Sequence, residues 1–393
     1  MLVFIKRRFM VEELDQMKIA MIFTNDWELF GEGSGDFIEL QENPLKDMLT
    51  VFGRHGARLT LLAEVGQQWA HRALAEPWAQ VVADRWDYWV SECIRLGHDV
   101  QLHLHPTWLN ARYVNKKWCL DLNNWQLASL KAGKIEEVLK LGRKTLENLG
   151  QKENPAYRCV AFRAGAFCIQ PETVTLPPLQ KAGLICDTSV VPGLTDYLFF
   201  DFSRAQKEPG SYVGQMTDLG QKARPGEPGL LELPIHTAQK WDYPFLRRML
   251  PRHWTQKWMF GVDRDPTFDQ WAALRDQRIR EIYPSDQQPL KADRARAMRN
   301  FKRWAGLLVR RSTIVLDYDF LSPDVFLSLV ETAAEEAQGL GKPIVTLVAL
   351  GHSKNIHTAE NIDRIIEKLR QTFGTNLAFK TMQQAVEEHA REN

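Results

Sequence analysis

Short apolar runs recur along this 393-residue chain, each cut off by polar residues and separated from the next by a stretch of helical period. Runs at 19–24, 57–65, 99–105, 160–163, 184–188, 230–236, 314–318 and 344–350 predict strands. Pro106 ends the third of them. Between them, apolar spacing predicts helices over 42–52, 78–96, 131–149, 171–183, 322–338 and 359–373. Gly97 and Gly150 read as helix stops, and Pro177 and Pro178 as breaks in the 171–183 helix. Ser322-Pro323 reads as an N-cap followed by proline at the first helical position. Strands that alternate with helices in this way form a parallel sheet with crossover helices, an α/β fold.

The stretch 238–310 breaks the rhythm. It is rich in Arg, Trp and Asp and reads as helices and loops without a strong strand, an insertion within one barrel domain spanning 17–393. Its Arg247, Arg248, Arg252 and Arg264 suit either an anionic substrate group or a solvated helical face. Met17-Lys18-Ile19 looks like a chain start running straight into a strand, so residues 1–16 are read as an extension outside the fold. The first residues carry their short apolar run ahead of the basic ones, the reverse of a signal peptide, and no run is long enough for a transmembrane segment. Five scattered cysteines without a Cys-x-x-Cys fit reduced thiols, and a net charge of +1 creates no field for nucleic acid. A cytoplasmic protein without a nucleic-acid partner is expected.

Four segments carry polar residues at predicted strand ends, the face where parallel barrels place their chemistry. Phe23 to Glu28 holds Asp26 and Glu28 two residues apart, on one side of an extended chain. Such a pair suits a metal ligand plus a general base, although Asp-x-Glu alone is more often a solvated strand end. Gly97 to Pro106 holds His98, His103 and His105, and the last two also share a side, spaced to bind one ion. Phe162 to Phe167 holds Arg163, able to grip a carboxylate in a two-pronged bond, with Gly165 permitting close backbone approach. Leu350 to Lys354 holds His352, placed to serve as a general acid, and Lys354, an alternative acid or a substrate-carboxylate contact. Glu232, His236, Asp187, Asp317 and Asp319 end further strands, where structural hydrogen bonds are the commoner role. The chain has 13 tryptophans, mostly expected in the core. Trp27 and Trp108 adjoin the motifs and join Glu232 and Lys354 as substrate-binding candidates.

Taken in order, these segments resemble the polysaccharide deacetylases of carbohydrate esterase family 4. Thr24-Asn25-Asp26 is similar to that family's Thr-x-Asp motif, and Gly97 to Pro106 to its Gly-His-Asp/Glu segment leading into a histidine pair ending His-Pro. Phe162 to Phe167 is similar to its arginine turn, Ala182 to Val190 to the segment that follows, and Leu350 to His352 to its late histidine. The resemblance spans about residues 17–390 and implies a distorted (β/α)7 TIM-like barrel that removes N-acetyl or O-acetyl groups from glycans. By position it implies Asp26 as general base, with Glu28, His103 and His105 holding a divalent metal: zinc, with cobalt, nickel or iron as alternatives. Arg163 would orient Asp26, and His352 would be the general acid. The chain departs from the family in having Trp27 where a second aspartate is usual. Its histidines are two residues apart instead of four, which makes His98 a reserve ligand. Lacking an export signal, it points to an intracellular saccharide or lipid-linked precursor as substrate. Two other readings compete: a glycan-binding barrel with a decayed site, and a urease-like metal-dependent amidohydrolase, which also uses His-x-His.

Overall fold

A computed structural model of the chain describes residues 17–196, 199–212, 229–242, 257, 259–282 and 310–392. The strands are β1 (Lys18–Trp27), β2 (Leu59–Glu64), β3 (Asp99–Leu104), β4 (Arg112–Val114), β5 (Lys117–Cys119), β6 (Ala161–Ala164), β7 (Cys186–Asp187), β8 (Thr195–Asp196), β9 (Phe200–Asp201), β10 (Gly210–Tyr212), β11 (Leu230–Glu232), β12 (Thr237–Asp242), β13 (Arg310–Val315), β14 (Ile344–Ala349) and β15 (Leu377–Phe379). The helices used below are α1 (Asn43–Arg54), α2 (Val65–Ala73), α3 (Pro77–Arg95), α4 (Ala132–Glu153), α5 (Glu172–Lys181), α6 (Pro266–Ile282), α7 (Pro323–Gly339), α8 (Glu360–Phe373) and α9 (Met382–Glu392).

The main sheet runs β10-β11-β7-β6-β3-β2-β1-β14, with β15 also on β1. Every pairing in it is parallel except β10 with β11. Beyond β11 the sheet curls back towards β14, where Ile235 bridges Val348 and Asp317 bridges Leu350. The result is a distorted TIM-like barrel with flanking helices, the α/β architecture that the alternation predicts. β1 is buried from Ile19 to Trp27, and β2 and β3 throughout, as expected of parallel strands covered on both faces.

Ser322 caps α7 as read from the sequence, its Oγ accepting from the Val325 N–H. Three local expectations fail for identifiable reasons. Gly150 does not stop α4, which continues to Glu153; a Cβ there would meet Tyr157 Cδ1 at 2.3 Å and Ile94 Cδ1 at 2.5 Å, so this glycine serves close packing. Pro177 and Pro178 lie inside α5 without breaking it. The 238–310 stretch does contain strands, because β12 and β13 pair antiparallel from Thr237↔Val315 to Asp242↔Arg310, with α6 between them in sequence. Of its basic residues, Arg264 pairs with Asp269. Arg247, Arg248, Arg252 and the extension 1–16 lie outside the described residues. All five cysteines are free, and no described helix is long and apolar enough to cross a membrane.

Candidate metal centre and active site

Parallel register sets the site. β2 pairs with β3 through Glu64↔His103, and β3 with β6 through His103↔Arg163. Glu28 lies one step beyond the Trp27↔Ala63 pair of β1 and β2. Glu28, Glu64, His103 and Arg163 therefore form one level around the barrel at the C-terminal strand ends, where parallel barrels carry their chemistry.

Arg163 is fully buried and is the anchor of one side. Its Nη1 donates to Asp26 Oδ1 at 2.6 Å and to Thr24 Oγ1 at 3.1 Å, while Nε and Nη2 donate to Thr188 O and Oγ1. Burial works to raise the Asp26 pKa, but the charges of Arg163, His103 and His352 outweigh it and hold the carboxyl below its ordinary value. The other Asp26 oxygen lies 3.6 Å from His352 Nε2. Burial pushes the His352 pKa down to about 4, with Asp26 opposing and Lys354 adding, so the ring is neutral near pH 7. The His352 backbone N–H donates to Asp319 Oδ2 at 2.6 Å, and the same oxygen lies 3.9 Å from His352 Nδ1. Asp317 accepts from the Asp319 N–H, and burial raises both carboxyls, Asp317 to about 7.

The second side is a buried cluster of Glu28, Glu64, His103 and His105, whose potential ligand atoms all lie within 4.8 Å of one another. His103 Nδ1–H donates to Arg163 O at 2.9 Å, which leaves its Nε2 as the free nitrogen, facing Glu28 Oε2 at 3.2 Å. His105 Nε2 lies 2.5 Å from that same oxygen without a well-formed hydrogen bond, and its Nδ1 has no partner. Two imidazole nitrogens thus converge on one carboxylate oxygen. A proton or a metal ion must lie between each nitrogen and that oxygen, and two imidazoles with carboxylates are a donor set that divalent cations take. Burial would lower the His103 pKa, yet Asp26 and Glu28 raise it. Burial would raise that of Glu28, yet Lys354, His105 and His103 hold it well below the ordinary value. Lys354 Nζ pairs with Glu28 Oε1. Lys354 and His352 keep 14% and 17% of their side chains exposed, which makes theirs the open side of the cluster.

Gly165 explains the close fit, since a Cβ there would come 2.4 Å from His105 Cγ. The residue that sequence reading missed is Glu64. It ends an apolar strand run in which no motif marks it, and in the structure it caps α2, accepting from the Gly66 N–H at 2.8 Å. Its other oxygen accepts from the His105 N–H at 2.6 Å. Burial, with the Glu28 charge adding and His105 opposing, raises its pKa to about 8.

Six candidates from the sequence lie elsewhere. His98 precedes the opposite end of β3, where Nδ1 accepts from the Leu59 N–H; four residues of extended chain separate it from His103, so it is no reserve ligand. Trp27 points away from the site, as the alternation that unites Asp26 and Glu28 requires. It is fully buried against Phe37 and Trp86, with Nε1–H donating to Gln41 O. Trp108 is 4% exposed, packed with Leu29 and Leu40 and edge-on to Trp118, and offers no open face. Glu232 is fully buried beside Asp187, which pairs with it in register between β7 and β11, and accepts from the Val190 N–H. Burial and the Asp187 charge raise the Glu232 pKa well above its ordinary value, and burial takes Asp187 to about 6. His236 is buried where its N–H donates to Val348 O, outside both clusters of potential ligands.

No protein-family model matches the sequence, and no curated protein matches it. Solved structures similar to it include proteins assigned as polysaccharide deacetylases and an allantoinase. A protein assigned as a polysaccharide deacetylase from Mycobacterium smegmatis is 13% identical at a TM-score of 0.46, over 96% of this chain and 92% of the other. Puue allantoinase is 12% identical at 0.45, over 94% and 89%. A protein assigned as a polysaccharide deacetylase from Pseudomonas aeruginosa PAO1 is 12% identical at 0.44, over 96% and 93%.

Proposed function

We propose that this protein is a metal-dependent hydrolase that removes N-acetyl groups, with O-acetyl esters as the alternative, from a saccharide or glycan precursor. The observation that carries the reading is the convergence of His103 Nε2 and His105 Nε2 on Glu28 Oε2, beside an Asp26 clamped by Arg163. The saccharide is carried over from the motif resemblance.

Glu28, His103 and His105 would hold the ion, with zinc the first expectation and cobalt, nickel or iron as alternatives. A divalent ion there supplies polarisation of the scissile carbonyl and of the attacking water. The chain supplies the proton handling. Arg163 fixes Asp26 through Oδ1 and leaves Oδ2 to take the proton of the water. Neutral His352 faces that oxygen at 3.6 Å, so it gains its proton from Asp26 and passes it to the leaving nitrogen. The products are acetate and a free amine, or an alcohol where an ester is cut. Lys354, on the open side next to His352, is the residue best placed to meet substrate.

Elemental analysis of the purified protein beside a His103→Ala/His105→Ala variant tests the reading. About one transition-metal ion per chain, lost in the variant, together with acetate release from N-acetylated sugars, is the expected result. A wild-type protein that takes up no metal after loading refutes it.

A further inference from the structure

We propose that Glu64 is a fourth protein ligand, which makes the site a two-histidine, two-carboxylate centre for an ion that carries five or six ligands. The inference rests on the metal-dependent reading above and extends it to a residue outside the sequence motifs.

Three observations carry it. Glu64 shares the level of Glu28 and His103 by strand register, so its side chain enters the barrel beside theirs. Its carboxylate lies within 4.8 Å of the donor atoms of all three other residues. Neighbouring atoms bound at about 2.1 Å to one ion lie roughly 3.0–3.4 Å apart, so the most widely spaced donors need close by about 1–2 Å. Within the same cluster, the buried His105 has no hydrogen-bond partner at its ring nitrogens, and a cation beside Glu28 would give Nε2 one.

The hydrogen bonds of Glu64 leave it free to ligate. Oε1 accepts from Gly66 N–H and Oε2 from His105 N–H, both backbone donors, and each carboxylate oxygen keeps a further lone pair. The two bonds fix the carboxylate while leaving it facing the cluster, and the second ties it to the strand end that bears His105. Gly66 keeps the turn tight, since a Cβ there would come 2.9 Å from Glu64 Oε1 and from Trp108 Cβ. Four protein ligands close a tetrahedral ion, whereas a hydrolytic ion needs a place for water. Iron, cobalt, nickel, or zinc expanded to five ligands therefore suits this centre better than tetrahedral zinc.

The test uses the full chain, stripped with a chelator and reloaded with cobalt(II), in wild-type, Glu64→Ala and Glu64→Asp forms. Visible absorption reads coordination number, because four-coordinate cobalt absorbs intensely and five- or six-coordinate cobalt weakly. Competition with a chelating dye reads affinity. Glu64→Asp retains a capping oxygen for α2 but shortens the reach, so it separates ligation from helix capping. We expect weak absorption in the wild type, an intense band in Glu64→Ala, and at least tenfold weaker binding in both variants with Tm kept in Glu64→Asp. Unchanged spectrum and affinity in the variants overturn the assignment. Lower affinity with an unchanged spectrum also overturns it and leaves Glu64 as a positioning residue. If the wild type takes up no cobalt, the metal-dependent reading itself falls.

Discussion

Gly165→Ala puts the whole site under a single added carbon. Gly165 does not use the left-handed backbone region, so alanine meets no backbone penalty there. Its Cβ would stand 2.4 Å from His105 Cγ, 2.6 Å from Nδ1 and 2.7 Å from Cδ2. Carbon atoms in good contact keep about 3.5–4.0 Å, so the ring must retreat by roughly 1 Å. It has little room to do so. The His105 N–H is held by Glu64 Oε2, its Nε2 lies 2.5 Å from Glu28, and its ring packs edge-on against His103 at 5.0 Å. Overpacking of this kind costs about 1–3 kcal/mol. A misplacement of about 1 Å at a reacting centre costs on the order of 10²-fold in rate. We expect urea unfolding to report that loss of stability, dye competition to report metal affinity lower by about tenfold or more, and acetate release to fall about a hundredfold. Gly133→Ala is the control, because nothing lies within 4 Å of its Cβ position near the start of α4. A Gly165→Ala protein with wild-type stability and metal affinity would refute the account of His105 packing.

Two further outcomes separate core from site. Trp27→Ala should lower stability by about 3–5 kcal/mol in urea unfolding, as loss of a buried aromatic does; a KM change without that loss would restore Trp27 to the substrate site. Glu232 and Asp187 have raised pKa values in the folded state, so the fold retains protons that the unfolded chain releases above about pH 4. Stability then falls as pH rises from that value towards the folded pKa, by up to about 1.4 kcal/mol per pH unit for each such proton. Glu232→Gln removes one of these protons, so its stability relative to wild type should climb between about pH 5 and pH 7; a constant difference across that range would refute it.

The barrel was legible because its strands are continuous apolar runs and its helices carry their own punctuation, as at Ser322 and Pro323. What escaped the sequence depended on contacts distant in the chain. Gly150 reads as a helix stop until Tyr157 and Ile94 are seen pressing on it. Glu64 lies inside an apolar strand run with nothing local to mark it; only the register of β1, β2 and β3 brings its carboxylate level with Glu28 and His103. Local periodicity was enough to pair Asp26 with Glu28, and the same alternation turns Trp27 into the core. The antiparallel pairing of β12 with β13 is equally non-local, joining residues on either side of the long 238–310 stretch.

That ribbon has a practical consequence. The chain leaves the barrel wall at Thr237 and returns beside it at Val315, the two strands paired along their length. Exit and entry are thus a single port, yet α6, inside the segment it closes, docks back on the barrel, where Arg275 donates to Asp319 O and Arg278 to Ile356 O and Asp265, just before α6, pairs with Arg364. A reporter domain spliced between the strands would therefore have to leave α6 free to reach Asp319, the residue that holds the His352 N–H.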